Sequence, residues 1–575
     1  MALRFAEKAA EAYDFPLTIG HLLDTALVTA ADQEIVYRDQ VRMTYRTFRT
    51  RLGRLASALS GLGAAEGMVI AVMDWDSHRY LECYFAVPMM GAVLQTVNVR
   101  LPPAQVAETI VRAEAEILLV HRDFLPLYEA IAPLLTRVGR VVVLMDGDAA
   151  PPPAGVAGEY EALLEQSAPD FVFRDFDENA IATTFFTSGT TGSPKQVCFT
   201  HRQIVLHALA ANGPFGTTRA RGFGIDDVYM PLTPMFHVHA WGVPYIATML
   251  GVKQVYPGRY EPATLLRLRA AEKVTYSHCV PTILQMVFDA ADKSGADLSG
   301  WLITIGGSAL TQALCREGRR RGMEVVTGYG MSETAPMVSL ARPRPDGDGS
   351  EDSLVRAFTA TGVPVPLVSV RVVDEAMRDV PADGATRGEL VIRSPWLTPC
   401  YVGNAQASDA LWRGGWLHTQ DVATIDSQGT LQIRDRLKDV IKTGGEWLCS
   451  VTLEDLVSSL DGVQAIAVVG VPHPQWGERP IGVVVPQAGR SVTVETINTH
   501  LETAIASGEL SRYGKLERIE LVEDLPKTSV GKIDKKLLRA RYAGLFEPAP
   551  QAGPQPATQP ATQPALQPGQ EIGAS

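Results

Sequence analysis

The residues from 187 to 195 have the composition of a loop that holds phosphate groups. They follow the apolar, strand-like pair Phe185-Phe186 and read Thr187-Ser188-Gly189-Thr190-Thr191-Gly192-Ser193-Pro194-Lys195. Glycine lets backbone N–H groups approach an anion closely, hydroxyl groups add donors, and a lysine supplies positive charge. The segment is not a Walker A loop, because Ser193-Pro194 separates Gly192 from Lys195. A flexible Gly/Thr surface loop is the structural alternative.

At this loop the sequence resembles the adenylate-forming superfamily, which includes acyl-CoA synthetases, firefly-type luciferases and peptide-synthetase adenylation domains. The other motifs of that family follow in order, and the resemblance runs from about residue 17 to about residue 540. It implies an enzyme that activates a carboxylic acid with ATP as an acyl-adenylate and then passes the acyl group to coenzyme A. It also implies a requirement for Mg²⁺.

Two glycine-rich motifs, at 305–310 and 328–334, resemble the segments that wrap the adenine ring and the α-phosphate in this family. Tyr329 offers a flat face for stacking on adenine. A third motif, 416–421, ends on Asp421, the carboxylate that binds the ribose hydroxyls in family members. The resemblance assigns ATP or AMP binding to Thr187, Ser188, Gly189, Thr190, Thr191, Gly192, Gly307, Ser308, Gly328, Tyr329, Gly330, Met331, Ser332, Asp421 and Arg436.

The resemblance assigns the magnesium site to Glu333 and the Thr187 hydroxyl. Mg²⁺ keeps several of its waters, so one or two protein oxygens beside the phosphates suffice. A solvated surface charge is the alternative for a lone glutamate.

Three residues carry the expected catalysis: Lys532, His237 and Lys195. Lys532 lies in the C-terminal motif 525–534, whose lysine reaches the substrate carboxylate and the α-phosphate in the family. His237, in the motif 234–242, matches the position that lies against the acyl carboxylate. Trp241 of the same motif resembles a residue that gates the acyl tunnel of long-chain enzymes, although core packing explains a tryptophan equally well.

A hinge and a path for coenzyme A are expected near residue 440. Lys438 matches the position about which the small domain of family enzymes rotates. After that rotation the following segment lines the path of the pantetheine arm, so the resemblance assigns this path to Lys442, Gly444, Gly445, Glu446 and Trp447.

Composition narrows the class of protein. The 575 residues carry a formal net charge of −12, which argues against nucleic-acid binding because phosphate neutralisation needs excess Lys and Arg. The six cysteines form no Cys-x-x-Cys pair, so neither a disulfide framework nor a zinc site is indicated. No long apolar run occurs, and we expect a cytoplasmic protein without an integral membrane segment. A homodimer is expected from the resemblance.

The pattern of elements predicts an α/β protein. Apolar residues three or four apart between Thr44 and Gly63 indicate an amphipathic helix capped by Thr44, and β-rich runs alternate with helical patterns. The family fold implies a large domain of two stacked α/β sheet subdomains plus a small distorted barrel, followed by a small mobile α+β domain. We place these domains at 1–435 and 436–545, with a disordered Pro/Gln/Ala/Thr tail at 546–575.

Four positions depart from the family pattern. Gln196 stands where glycine is usual after Lys195, so the exit of the phosphate loop cannot use a glycine-only backbone angle there. Gln420 replaces the usual glycine before Asp421. Ser332 replaces the commoner threonine but keeps its hydroxyl, and Cys449 stands where serine is more frequent.

The expected substrate is a medium- or long-chain fatty acid, since the motifs at 234–242 and 444–447 most resemble bacterial fatty acyl-CoA synthetases and their relatives acting on methylthiopropionate. Branched, cyclic or aryl acids are alternatives. A loader of carrier proteins, a luciferase-like oxygenase and a non-catalytic sensor of nucleotide or acyl ligand are the competing functions.

Overall fold

The structure is a computed structural model that describes residues 3–147, 152–187, 194–217, 223–343, 347–444, 446–508 and 510–546. The strands of these residues are β1 (Glu34–Tyr37), β2 (Val41–Thr44), β3 (Val69–Met73), β4 (Val93–Thr96), β5 (Ile117–His121), β6 (Arg140–Leu144), β7 (Gly158–Glu159), β8 (Ile181–Thr187), β9 (Lys195–Thr200), β10 (Val228–Tyr229), β11 (Lys253–Tyr256), β12 (Tyr276–Cys279), β13 (Leu302–Ile305), β14 (Glu324–Gly330), β15 (Met337–Leu340), β16 (Val363–Pro364), β17 (Ser369–Val373), β18 (Gly388–Arg393), β19 (Leu417–Ile425), β20 (Leu431–Arg436), β21 (Ile441–Thr443), β22 (Glu446–Leu448), β23 (Val463–His473), β24 (Gly477–Pro486) and β25 (Arg518–Leu521).

The helices alternate with these strands over much of the chain. They are α1 (Asp24–Thr29), α2 (Tyr45–Gly61), α3 (His78–Met89), α4 (Pro103–Arg112), α5 (Leu125–Ile131), α6 (Tyr160–Glu165), α7 (His201–Thr217), α8 (Val238–Trp241), α9 (Val243–Leu250), α10 (Pro262–Glu272), α11 (Pro281–Ser294), α12 (Gln312–Arg320), α13 (Glu351–Thr359), α14 (Ala405–Leu411), α15 (Ser450–Ser458), α16 (Val494–Ala506) and α17 (Lys535–Tyr542). The predicted amphipathic helix is α2, and the Thr44 side chain accepts the N–H of Thr47 as the expected cap.

A seven-stranded sheet with the order β7-β6-β5-β3-β4-β8-β9 forms the first layer. Its strands are parallel except β9, which returns antiparallel to β8. β4 and β5 are buried along their whole length, as expected where helices cover both faces of a sheet. Thr187 and Lys195 pair directly across the β8–β9 hairpin, so the two ends of the expected phosphate loop lie side by side.

A second, nine-stranded sheet has the order β16-β15-β14-β13-β12-β10-β11-β1-β2. β10 to β14 run parallel, and their carboxyl ends meet at one edge, which is where α/β proteins bind ligands. One hydrophobic core joins this sheet to the first. The two-sheet α/β architecture predicted from the sequence is therefore present.

The remaining sheets are smaller. An antiparallel sheet with the order β17-β18-β19-β20 stands where a small distorted barrel was expected. A five-stranded sheet, β22-β21-β24-β23 with β25 beside β24, belongs to the C-terminal part of the chain and has separate cores on its two faces.

The chain passes from one of these sheets to the other between Arg436, the last residue of β20, and Ile441, the first of β21. The turn between them contains Lys438, at which the hinge is expected. The division at 435/436 and its consequences for movement stay predictions. Residues 547–575 of the expected tail lie outside the described part of the chain.

None of the helices in the described residues combines the length and apolar character that crossing a membrane requires.

Two glycines of α2 provide a matched test of this packing. A Cβ atom at Gly53 would lie 2.0 Å from the carbonyl oxygen of Pro169, whereas a Cβ at Gly61 would meet nothing within 4 Å. Gly53→Ala is expected to lower the free energy of unfolding by about 1–3 kcal/mol because backbone must move. Gly61→Ala is expected to be neutral or to stabilise by up to about 1 kcal/mol. Scanning calorimetry of both variants checks this, and equal melting temperatures would contradict the packing described.

Candidate active site

The loop that carries Lys532 is docked onto the large domain. Val530 is buried in the core shared by the two large sheets, although the other C-terminal residues build cores of their own. The Asn98 amide donates to the Ser529 hydroxyl at 3.0 Å, and the Thr282 hydroxyl donates to the Gly531 carbonyl at 2.9 Å. These contacts hold residues 529–532 against the large domain.

Gly307 makes room for the Lys532 side chain. A Cβ atom at this position would lie 2.8 Å from Cε of Lys532 and 3.4 Å from Nζ. Gly307 also has a φ of +75°, in the left-handed region that favours glycine. The expected glycine of the first nucleotide motif and the expected catalytic lysine therefore meet in the structure.

The second nucleotide motif forms the end of β14. A Cβ at Gly330 would fall 1.7 Å from the Pro336 carbonyl oxygen, so no other residue fits this backbone path. The Tyr329 hydroxyl donates to Oδ2 of Asp421 at 2.6 Å, while Nε of Arg436 lies 3.3 Å from Oδ1. The structure thus brings together the residues assigned to the adenine ring and the ribose.

Glu333 and Lys195 are linked through a residue that sequence reasoning missed. Tyr401 follows β18 and donates its hydroxyl to Oε1 of Glu333 at 2.7 Å. The Lys195 Nζ lies 4.5 Å from the centroid of the same ring, a cation–π contact. Tyr401 lies outside the recognised motifs, so no motif spacing identifies it in the sequence.

His237 and Trp241 flank a strained segment. The residues from Val238 to Trp241 all have φ between 46° and 59°, the left-handed conformation that costs non-glycine residues about 1–2 kcal/mol each. Such strain persists only where the surroundings impose it. Here the Met235 N–H donates to Asp76 at 2.8 Å, and the Thr96 hydroxyl donates to the Phe236 carbonyl at 2.9 Å.

Trp241 packs against the first nucleotide motif. Its ring occupies the space next to Gly306, where a Cβ would approach it to 2.8 Å, and its centroid lies 5.0 Å from that of His278. Trp241 is buried in the core of the large domain and does not line the nucleotide cavity, so its assignment to the acyl pocket stays a prediction.

Burial governs the ionisation of the central groups. It lowers the pKa of Lys532 to about 8, an effect that Arg436 reinforces and that Asp421 and Glu333 oppose. It lowers the pKa of His237 to about 3, aided by the positive charge of Lys532, and the imidazole is therefore neutral near pH 7. It raises the pKa of Asp421, against the opposing effect of Arg436.

These groups surround a cavity of about 2780 Å³ between the large domain and the C-terminal part. The site residues that line it are Thr187, Lys195, His237, Gly307, Ser308, Gly328, Tyr329, Gly330, Met331, Ser332, Glu333, Tyr401, Asp421, Arg436, Lys438 and Lys532. The residues from Ser188 to Gly192, also expected here, lie outside the described part of the chain.

The described residues expected along the coenzyme A path lie outside this cavity. Lys442, Gly444, Glu446 and Trp447 belong to the β21–β22 hairpin, and Gly445 lies outside the described residues. The Trp447 side chain is exposed, with Nζ of Lys442 5.4 Å from its ring. In this arrangement of the domains Lys532 occupies the site and the hairpin does not line it.

The departures from the family pattern have different outcomes. Gln196 lies in β9 with extended backbone, so no glycine-only angle is needed there, and its amide donates to the Thr184 hydroxyl at 3.1 Å. Gln420 has a φ of +62°, a conformation that glycine would adopt without strain. Ser332 begins a short 3₁₀ helix that contains Glu333. Cys449 is buried before α15, and nothing in the structure assigns it a function.

Comparison with known proteins identifies the class. Residues 23–402 match the family model of AMP-binding enzymes, and residues 452–532 match that of the AMP-binding enzyme C-terminal domain, with Lys532 as the last residue. The chain belongs to this family of AMP-binding enzymes. The match confirms the family expected from the sequence and, with it, an enzyme of the AMP-forming ligase class.

Two relatives and one solved structure support this assignment. The chain is 40% identical over 541 residues to a long-chain-fatty-acid–CoA ligase of Thermus thermophilus, a match that covers 93% of this chain and 97% of that protein. It is 37% identical to a 3-methylmercaptopropionyl-CoA ligase of Ruegeria pomeroyi, over 85% and 90% of the two chains. The crystal structure of the anthranilate CoA ligase AuaEII with anthranoyl-AMP superposes with a TM-score of 0.80 at 24% identity, over 92% of this chain and 98% of that one, which confirms the fold.

Proposed function

We propose that the protein is an ATP-dependent acyl-CoA synthetase that converts a medium- or long-chain fatty acid, ATP and coenzyme A to acyl-CoA, AMP and pyrophosphate. The observation that carries the proposal is the docked Lys532, whose side chain lies over Gly307 in a cavity lined by the nucleotide motifs. The names of the two relatives support ligation to coenzyme A and a fatty or short thioether acid.

Mg²⁺ fits the residues of this site. Glu333 is a buried carboxylate that engages Tyr401 through Oε1, which leaves Oε2 available to a cation. Among the described residues no group of three or more His, Cys, Asp or Glu could hold a metal ion, so Glu333 and the Thr187 hydroxyl would act with phosphate oxygens and water. When bound, the ion would neutralise negative charge on the triphosphate.

In the first step a carboxylate oxygen attacks the α-phosphorus of ATP, and the bond to pyrophosphate breaks. Two anions meet, so the barrier is largely electrostatic. The ammonium group of Lys532 would pair with the carboxylate and the α-phosphate, and that of Lys195 would lie near the other phosphates. The neutral ring of His237 would lie against the acid without adding charge. Tyr329 and Asp421 would hold the nucleoside.

In the second step the sulfur of coenzyme A bonds to the acyl carbon and AMP leaves. Rotation about Lys438 would withdraw Lys532 and bring Lys442, Gly444 and Trp447 to the site. They lie outside the cavity in this structure, so they could line the coenzyme A path only after such a movement. Cytoplasmic location and a homodimer stay predictions.

The acid is identified by incubating the protein with ATP, Mg²⁺ and coenzyme A and a panel of straight-chain, branched, cyclic and aryl acids. We expect AMP release that depends on coenzyme A and is greatest with straight chains of medium or long length, because the first relative is a long-chain-fatty-acid–CoA ligase. Preference for an aryl acid would overturn the substrate proposal. ATP binding without turnover of any acid would favour the non-catalytic sensor. Acid-dependent release of pyrophosphate without a CoA product would favour the carrier loader, because acyl-AMP then has no acceptor.

The pKa of Lys532 sets an expected pH dependence. Because that pKa is lowered to about 8, the ammonium form that pairs with the anions predominates below pH 8 and is lost above it. We expect kcat/KM for ATP in pyrophosphate exchange to fall about tenfold for each pH unit well above 8, since this ratio reports the free enzyme.

The Lys532→Ala variant is the control for this decrease in kcat/KM above pH 8. It is expected to be slower at every pH and to show no fall near pH 8. A wild-type profile that stays flat to pH 10 would contradict the assigned role of the ammonium group.

A further inference from the structure

The segment from Thr398 to Val402, here called the bracket loop, is tied to both sides of the phosphate and metal site. The Thr398 N–H donates to the carbonyl oxygen of Glu333 at 2.9 Å, and the Val402 N–H donates to the carbonyl oxygen of Gln196 at 2.9 Å. Gln196 is the neighbour of Lys195. Backbone hydrogen bonds therefore set the distance of this loop from both functional residues.

The other contacts of the bracket loop make it rigid. The Tyr401 N–H donates to the Ser408 hydroxyl at 3.0 Å, and that hydroxyl also lies 3.2 Å from the Tyr401 carbonyl, so α14 holds the tyrosine from behind. The Thr398 hydroxyl donates to the Cys400 carbonyl at 3.0 Å within the loop. The Tyr401 side chain has little freedom in this setting.

From this position Tyr401 contacts the two charged groups with different parts of its side chain. The hydroxyl donates to Oε1 of Glu333 at 2.7 Å, and the ring faces the ammonium group of Lys195. A buried carboxylate without a donor is costly, so this hydrogen bond also fixes the orientation of the carboxylate. With Oε1 engaged, Oε2 is the oxygen presented to a cation.

We propose that Tyr401 is a positioning residue that orients Glu333 for the Mg²⁺ of ATP and thereby sets the metal dependence of nucleotide binding. The inference rests on the proposed function and adds a residue to it. Tyr401 acts through Glu333 and Lys195, and it takes no part in bond making. A tyrosine that merely packed the core would influence stability without altering how metal and nucleotide affect each other's binding.

The test measures this coupling directly. ATP affinity is determined by isothermal titration calorimetry without acid, once with saturating Mg²⁺ and once with EDTA, and the ratio of the two dissociation constants is the coupling. We expect Tyr401→Phe, which keeps the ring and removes the hydroxyl, to reduce this ratio about tenfold, the size expected for one hydrogen bond to a charged group. Its metal-free affinity is expected to stay within twofold of wild type.

Two further variants separate the contributions. Tyr401→Leu also removes the ring beneath Lys195 and is expected to weaken metal-free ATP binding by about threefold, the lower end of the range for a cation–π contact. Tyr256→Phe is the matched control, because it removes a buried hydroxyl that donates to Gln254 away from the cavity, and its coupling ratio is expected to equal that of wild type.

The rate of the second half-reaction shows whether the Tyr401→Phe variant is folded. With preformed acyl-adenylate and coenzyme A, Tyr401→Phe is still expected to form acyl-CoA, because this step uses neither the triphosphate nor its metal, whereas a misfolded protein would form none. An unchanged or larger coupling ratio in Tyr401→Phe would overturn the inference. Absence of acyl-CoA from every protein, wild type included, would instead refute the proposed function, since the coupling ratio is measured without it.

Discussion

The placement of one ammonium group dominates the structure of this protein. Lys532 must reach a cavity in which burial already lowers its pKa to about 8, and a free side chain would avoid that environment. Contacts of the surrounding loop with the large domain offset this unfavourable burial of the ammonium group. Val530 enters the core of the large domain, Asn98 and Thr282 hold the neighbouring residues, and Gly307 leaves the space in which the lysine lies.

Lys532 and the expected coenzyme A residues do not share the cavity. Lys532 lies in it, whereas the described residues of the β21–β22 hairpin stay outside. Val530, Asn98 and Thr282 hold the Lys532 loop against the large domain through one buried side chain and two hydrogen bonds. This arrangement suits the proposed adenylation step, and thioester formation would require the proposed rotation about Lys438.

The sequence predicted the elements and most of the site because its motifs lie at the ends of strands. Thr187 and Lys195 lie at the ends of neighbouring strands of the first sheet, and Gly330 lies at the end of β14 in the second sheet. Contacts between segments that are distant in the chain cannot be predicted from these motifs. Tyr401 belongs to no recognised spacing, and the docking of Ser529 on Asn98 joins residues 431 positions apart. At Gln420 the sequence shows only that the usual glycine is absent, and the left-handed backbone conformation is seen in the structure.

A reversible cross-link across this contact tests the account most directly. Nδ2 of Asn98 and Oγ of Ser529 lie 3.0 Å apart, so cysteines in both positions lie within reach of a short bifunctional methanethiosulfonate reagent, which joins them through two reducible disulfide bonds and locks Lys532 in the cavity. The cross-linked Asn98→Cys/Ser529→Cys variant is predicted to release about one equivalent of pyrophosphate per site with ATP and acid and to form no acyl-CoA until it is reduced, whereas the reagent leaves each single variant active. Acyl-CoA formation by the cross-linked double variant at the rate of the reduced protein would contradict the account.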